Sequence, residues 1–104
     1  MTEQGRIEEL VVQELDEANK KYPLFHSPHE AYAVLAEEVD EMYQEAEWTR
    51  AYLGHMWECV KADDDIEYIT NDIRRKAVCV AQESIQIIAM CDKIKQSELY
   101  EEKE

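Results

Sequence analysis

Two long segments of the chain repeat their apolar side chains at the spacing of an α-helix. At about 100° per residue, these repeats form one apolar stripe on each segment and predict two helices that each bury one face. The stripes consist of Ala31, Leu35, Met42, Leu53, Met56 and Val60 in the first segment and of Ile69, Ile73, Val80, Ile87, Met90 and Ile94 in the second. The chain is therefore expected to fold by packing helices.

Each stripe also contains a glutamate where an apolar residue is expected. Glu38 lies within the first stripe and Glu83 within the second, while Glu41 and Glu45 lie at the edge of the first. Burying an unpaired carboxylate is costly, so such a group is normally protonated, paired or bound to a metal. Glutamates that point inward from two facing helices therefore predict a divalent-cation site.

Local signals divide the chain into three helices. Pro23 disfavours helical geometry in the residue before it and ends the first helix. Ser27 and Glu30 then form a capping box, with Pro28 at the first helical position. Gly54 is expected to loosen or bend the later half of the second helix. The predicted helices cover about residues 2–20, 28–60 and 66–97, and aspartates in the connection 62–65 are expected to cap the third.

The composition indicates a single all-α domain that covers residues 1–104. The chain contains only two glycines and two prolines, whereas good helix formers are abundant. A chain of 104 residues is too short to form a large hydrophobic core by itself. Its last residues, 98–104, form an acidic tail that is expected to fray.

The charge and the cysteines restrict partners and compartment. A formal charge of −14 disfavours binding to nucleic acid or to an anionic membrane, because their phosphates would be repelled. The N-terminus lacks the pattern of a signal peptide, and no apolar run approaches the length of a membrane span. Three cysteines without CxxC spacing suggest reduced thiols. We expect a cytoplasmic protein.

The two long helices predict self-association. A helix of about 30 residues spans about 45 Å, which is longer than a compact domain of this mass needs. Trp48, Tyr52 and Trp57 add apolar surface to the second helix beyond its stripe. The expected architecture is two long antiparallel helices and an N-terminal helix that assemble as an oligomeric helix bundle, either a homodimer or a homotetramer.

The spacing of the acidic residues suits magnesium. Glu38 and Glu41, and likewise Glu41 and Glu45, are neighbours on one helix face and repel each other unless a cation lies between them. Mg²⁺ takes carboxylate oxygens and commonly joins them to substrate phosphates; Mn²⁺ is an alternative. If the two long helices form a hairpin about Asp63, Glu38 lies opposite approximately residue 88. A shift of about one helical turn in the register of the helices places Glu83 opposite Glu38 instead. The competing interpretation is a solvated acidic face.

A ferritin-like di-iron centre is excluded by the histidines. Such a centre needs a Glu-x-x-His pair on two helices. None of His26, His29 and His55 follows a glutamate by three residues. His26 and His29 have HxxH spacing, but a helix begins between them, so capping-turn roles are favoured over zinc binding.

Two strings resemble the MazG-like nucleotide pyrophosphohydrolases, an all-α superfamily, and especially a small phage-associated branch of it. They are HSPHEAYAVLAEEVDE, residues 26–41, and QESIQIIAM, residues 82–90. The family pattern is an EExxE on one helix and an ExxD on the next. The resemblance implies an Mg²⁺-dependent enzyme that hydrolyses a (deoxy)nucleoside triphosphate to the monophosphate and pyrophosphate and works as a dimer or tetramer.

The resemblance also assigns roles to individual residues. It implies metal-ligand roles for Glu38 and Glu41, with Glu37 as an additional or supporting carboxylate. A water oriented by Glu37 or Glu41 would attack the α-phosphorus. The second motif maps onto Glu83 and Gln86, and Gln86 stands where an aspartate is expected. An amide oxygen can ligate Mg²⁺ but brings no negative charge, which weakens one metal position.

The densest basic cluster of the chain consists of Arg74, Arg75 and Lys76, two turns before Glu83. These residues could hold phosphate oxygens or pair with exposed glutamates. A second hypothesis for the whole chain is a non-catalytic acidic helical oligomer: an interaction protein, a DNA mimic or a nucleotide-binding relative without activity. A DNA mimic should expose its carboxylates in rows, whereas Glu38 and Glu83 are expected to face inward.

Overall fold

The computed structural model describes residues 2–99, and three α-helices make up most of them. The helices are α1 (Glu3–Lys21), α2 (Pro28–Lys61) and α3 (Glu67–Gln96). The predicted all-α fold is confirmed, and each helix end lies within a residue of its predicted position. The predicted frayed tail lies outside the described residues apart from Glu98 and Leu99. Within residues 2–99, no helix is both long enough and apolar enough to cross a bilayer.

Short polar side chains cap the helices as the sequence predicts. Ser27 Oγ accepts a hydrogen bond of 3.1 Å from the amide of Glu30, with Pro28 at the first helical position. The N-cap residue of α3, Ile66, has no side-chain acceptor. The residue before it, Asp65, supplies one instead: its Oδ1 accepts a hydrogen bond of 3.0 Å from the amide of Glu67. These bonds satisfy amide donors that have no partner within the helix.

The turn between α2 and α3 is tight. Asp63 adopts a left-handed conformation, with φ of 57°, which aspartate tolerates better than most residues. The amide of Asp64 donates to the carbonyl of Cys59 at 2.9 Å and so satisfies one of the last carbonyls of α2. The chain therefore reverses within a few residues and brings α3 back along α2.

The helices α2 and α3 form a long antiparallel hairpin, and α1 packs against α3 rather than α2. The polar contacts Lys76–Glu45 and Ser84–Met42 cross between the two long helices. The core lies at the end of the hairpin that α1 covers and contains Val11, Phe25, Ala31, Ala89 and Met90. The three cysteines, Cys59, Cys79 and Cys91, are free thiols.

The opposite end of the hairpin keeps apolar side chains exposed within one chain. Leu53 is 58% exposed and Val60 is 48% exposed, so their predicted burial is wrong for the single chain. Ile7 and Leu10 of α1 are 43% and 47% exposed. The reason is coverage: α1 reaches only part of α3, and two helices alone leave much of each stripe open to solvent.

Gly54 does not interrupt α2, which continues as one helix to Lys61. Nothing lies within 4 Å of the position that a Cβ would occupy there. We therefore expect Gly54→Ala to raise the free energy of unfolding by about 1 kcal/mol, because alanine has the higher helix propensity. In a domain of this size that corresponds to a rise of roughly 4–8 °C in melting temperature, measurable by circular dichroism.

The matched control is Ala51→Gly, at an exposed position one turn earlier in α2. It should lower the melting temperature by a similar amount. If Gly54→Ala lowers the melting temperature instead, then Gly54 makes a close contact that a single chain does not contain.

Candidate metal centre

Three glutamates from two helices meet in the middle of the hairpin. Glu38 and Glu41 are three residues apart on α2, which places them on one helix face. Glu83 projects toward them from α3, and one carboxylate oxygen of each residue lies within 4.8 Å of the others. The predicted convergence of these three carboxylates is confirmed. Metal binding by them stays a prediction.

Gln86 completes the cluster on the α3 side. Oriented with its amide nitrogen toward the glutamates, its Nε2 donates to Glu38 Oε2 at 2.8 Å and to Glu83 Oε2 at 3.1 Å. This orientation follows from the hydrogen-bonding pattern. If the carboxamide turns over, Oε1 takes the same place and becomes an oxygen ligand. The residue that stands where the resemblance leads us to expect an aspartate thus lies among the three glutamates.

The donor set fits a hard divalent cation. Neighbouring oxygens around an octahedral Mg²⁺ lie about 2.9 Å apart, and opposite ones about 4.2 Å, when each metal–oxygen distance is about 2.1 Å. One oxygen of each carboxylate lies within 4.8 Å of the others, so small side-chain movements would bring the three groups onto one cation. All four donors can present oxygen, which is the ligand that Mg²⁺ and Mn²⁺ prefer.

Desolvation, together with the crowding of negative charge, raises the pKa of all three carboxyl groups. Burial raises the pKa of Glu38, and the negative charge of Glu41 adds to the effect. Burial also raises the pKa of Glu83, which shares a hydrogen bond with Glu38. Glu41 is exposed as a residue, but partial desolvation of its carboxyl group beside Glu83 raises its pKa as well. A divalent cation would relieve this repulsion directly.

Glu37 and Glu45 flank the cluster without joining it. Glu37 is exposed, and its charge contributes to the raised pKa of Glu38 and Glu41. Glu45 is half-buried and lies 3.1 Å from Lys76 Nζ, so one of its oxygens is already paired. Their places agree with a supporting role for Glu37 and with a structural ion pair for Glu45.

Two concavities adjoin the cluster on different sides. One is an open groove on the α2 surface that includes Ala33, Ala36, Glu41 and Glu83 in its wall. The other is a cavity of about 680 Å³ bounded by α1, the 22–27 connection and both long helices. Glu37 lines both, whereas Glu38 and Gln86 line only the cavity. A ligand could therefore reach the carboxylates from either side.

The basic cluster lies farther from the carboxylates than the other predicted residues. Arg75 pairs with Asp72 on its own helix at 3.2 Å, and Arg74 is exposed. Lys76 is linked to the site only through its ion pair with Glu45, and its Nζ lies 6.0 Å from the ring centre of Trp48. None of the three lines the groove or the cavity described above. Phosphate binding by Arg74, Arg75 and Lys76 stays a prediction.

Sequence reasoning did not predict the burial of Lys93 beside the cavity. Lys93 is only 2% exposed and lines the cavity wall, although its sequence suggests a surface lysine. A signal was available, since Gln86, Met90 and Lys93 follow one another at helical spacing on a single face of α3. Burial could not be read from that spacing, because it depends on Tyr22 and Phe25, which the connection before α2 brings over Lys93.

The raised pKa values predict a specific pH dependence. A carboxyl group whose pKa is raised by folding stabilises the folded state fully below its ordinary pKa of about 4.5, and this contribution is lost as pH rises through the raised value. Without divalent cations at pH 7.5, Glu83→Gln should therefore raise the free energy of unfolding by about 1 kcal/mol. At about pH 3, where the carboxyl group is mostly protonated in both the folded and the unfolded state, the difference from wild type should vanish.

Thermal unfolding with and without Mg²⁺ measures both effects. Millimolar Mg²⁺ should stabilise wild type at pH 7.5 and make it more stable than Glu83→Gln. Glu47→Gln, an exposed position on the same helix, removes one negative charge away from the cluster and is the control. If Glu47→Gln and Glu83→Gln respond alike to pH and to Mg²⁺, the cluster has no special electrostatic role.

Comparison with protein-family models, with curated proteins and with solved structures finds no match to the chain. The chemistry of the cluster is thus inferred from its own residues. These are three carboxylates and one carboxamide, supplied by two neighbouring helices at the edge of a cavity.

Proposed function

We propose that this protein is an Mg²⁺-dependent hydrolase that cleaves a (deoxy)nucleoside triphosphate to the monophosphate and pyrophosphate. The observation that carries the proposal is the meeting of Glu38, Glu41 and Glu83 beside a cavity of about 680 Å³. These are the residues to which the MazG-like resemblance assigns metal binding. The cavity volume is in the range of small-molecule sites.

The reaction needs a cation where the carboxylates meet. Bound Mg²⁺ would neutralise the triphosphate and polarise an α-phosphoryl oxygen. Glu38 and Glu41 would hold it from α2, and Glu83 and Gln86 would hold it from α3. Because two helices share the ligands, the hairpin fixes their separation before substrate arrives, which lowers the reorganisation needed for the reaction.

Glu37 is the proposed positioning group for water. It lies next to Glu38 in sequence and in the walls of both concavities, where its carboxylate is accessible. An exposed carboxylate there can accept a proton from a water that attacks the α-phosphorus in line with the departing pyrophosphate. Glu41 is the alternative for this role, since it is the most exposed of the three clustered glutamates.

Gln86 marks a departure from the pattern that the sequence resembles. A carboxamide in place of the expected aspartate leaves the cluster with one negative charge fewer. The metal is then held less tightly, and part of its charge remains available to the triphosphate. A site of this kind favours binding of metal together with nucleotide over binding of metal alone.

The apolar surface of the hairpin supports self-association. Trp48, Leu53, Trp57 and Val60 are 46%, 58%, 58% and 48% exposed in the single chain. Exposed apolar patches of this kind mark interfaces. We propose a homodimer or homotetramer that acts in the cytoplasm on free nucleotides, with no nucleic-acid or membrane partner.

Substitution of the clustered glutamates tests the catalytic proposal. Glu38→Gln and Glu83→Gln should each lower Mg²⁺-dependent pyrophosphate release from common nucleoside triphosphates by at least about 100-fold, because each removes a charged ligand. Glu47→Gln is the matched control on α2 and should keep wild-type activity. Retention of activity by both cluster variants would refute the assigned metal site.

Gln86→Asp separates an active enzyme from a binding-only relative or an acidic interaction protein. An active enzyme should bind Mg²⁺ about tenfold more tightly after this change. A protein that gains pyrophosphate release only as Gln86→Asp would be a binding-only relative. Indifference of the melting temperature to Mg²⁺ and to nucleotide, in wild type and variant alike, would favour the interaction protein.

Light scattering tests the assembly. At micromolar concentration we expect a mass of at least twice the 12.3 kDa of one chain. The double change Leu53→Glu and Trp57→Glu places charge on the exposed apolar surface and should shift the protein toward monomer. Tyr68→Glu, at an 80% exposed position of α3, serves as a comparison. A monomeric wild type would exclude the proposed oligomer.

A further inference from the structure

The cavity beside the metal centre exists because α1 packs on α3 and stays apart from α2. Two bonds hold this arrangement at the end remote from the hairpin turn. Asn19 Nδ2 donates to Gln96 Oε1 at 3.0 Å, and the amide of Phe25 donates to Ser97 Oγ at 3.0 Å. The end of α1 and the connection that follows are thus tied to the last turn of α3, and they wall off the cavity there.

The cavity extends along α3 from the metal centre to Lys93. Glu38 and Gln86, which belong to the metal centre, line one end. Lys93 lies on the same face of α3 as Gln86, seven residues later, which is two helical turns or about 10 Å along the helix axis. The apolar residues Val34 and Met90 also line the cavity. A ligand held by the metal centre therefore extends along an apolar wall toward a lysine.

Lys93 is buried without a negative partner among residues 2–99. The residue is 2% exposed, and the ion pairs of the described residues involve other lysines and Arg75. Its Nζ lies 5.1 Å from the ring centre of Phe25 and 5.9 Å from that of Tyr22. Such contacts stabilise a cation but accept none of its three N–H donors in the manner of an oxygen atom. From the cavity wall, this ammonium group can donate to an oxygen acceptor on a ligand.

The charge of the cavity decides what kind of acceptor fits. Five glutamates line it (Glu14, Glu17, Glu30, Glu37 and Glu38), against Lys21 and Lys93. A second anionic group on the ligand would face this acidic surface without a metal to offset it. A neutral oxygen acceptor avoids that repulsion and still receives a charge-assisted hydrogen bond from Lys93.

We propose that Lys93 recognises the oxo group of a nucleobase, so that the enzyme prefers triphosphates of 6-oxopurines and 4-oxopyrimidines over those of adenine and cytosine. This inference rests on the proposed function, because it needs the triphosphate at the metal centre. With the triphosphate there and the sugar between, the base edge farthest from the sugar meets Lys93. That edge carries an oxygen acceptor in hypoxanthine, guanine, uracil and thymine, but an amino donor in adenine and cytosine.

Inosine and adenosine triphosphates give the sharpest comparison, because the purines differ at the position that faces Lys93. We expect kcat/KM for inosine triphosphate to exceed that for adenosine triphosphate by about 10- to 100-fold, and uridine triphosphate to exceed cytidine triphosphate likewise. Lys93→Met keeps the length and apolar character of the side chain. This substitution should bring both kcat/KM ratios to within about threefold of one, mainly by lowering kcat/KM for inosine and uridine triphosphates.

Lys95→Met is the matched control, since Lys95 is an exposed lysine two residues further along α3. It should leave both ratios unchanged. If Lys93→Met slows all four nucleotides equally and lowers the melting temperature, or if wild type shows no preference, Lys93 has a structural role only and the inference is wrong.

Calorimetric titration of the Mg²⁺ complexes of the same nucleotides separates this inference from the proposed function. Tighter binding of inosine than of adenosine triphosphate, lost in Lys93→Met, supports base recognition even if no pyrophosphate is released. Pyrophosphate release from all four nucleotides at equal rates would leave the hydrolase proposal standing and overturn the role of Lys93. Neither binding nor release of any nucleotide would overturn both.

Discussion

The structure depends on the balance of negative charge between the two long helices. Glu38 and Glu83 occupy positions that a hairpin of this kind would normally fill with apolar residues, and with the exposed Glu41 they each bring one oxygen within 4.8 Å of the others. The arrangement raises the pKa of each group and weakens the folded state at neutral pH unless a proton or a cation compensates. This electrostatic cost is the physical reason for proposing a divalent cation between the two helices.

The same charge balance bears on the proposed triphosphate substrate. A net charge of −14 repels a polyanion from most of the surface. Under the proposed function, the triphosphate would need local positive charge, which a cation held by the three glutamates and the ammonium group of Lys93 at the cavity wall would supply. The same repulsion is the reason for proposing no nucleic-acid partner.

The hairpin also divides the molecule into two parts with different roles. The end covered by α1 contains the core and the cavity. The other end extends beyond α1 and keeps Leu53, Trp57 and Val60 exposed. One chain of this length cannot bury both stripes with only three helices, since α1 reaches α3 alone. The exposed end is therefore the surface through which the proposed oligomer would assemble.

The sequence by itself determined the three helices and their ends, because periodicity, capping boxes and prolines act over a few residues. It also indicated the meeting of Glu38 with Glu83, since a tight turn fixes the register of two antiparallel helices. Tertiary structure alone decided the path of α1, the exposure of Leu53 and Val60, and the burial of Lys93. These features depend on which helix faces are covered, and coverage is a long-range property: Tyr22 and Phe25 lie far from Lys93 in sequence but adjacent to it in space.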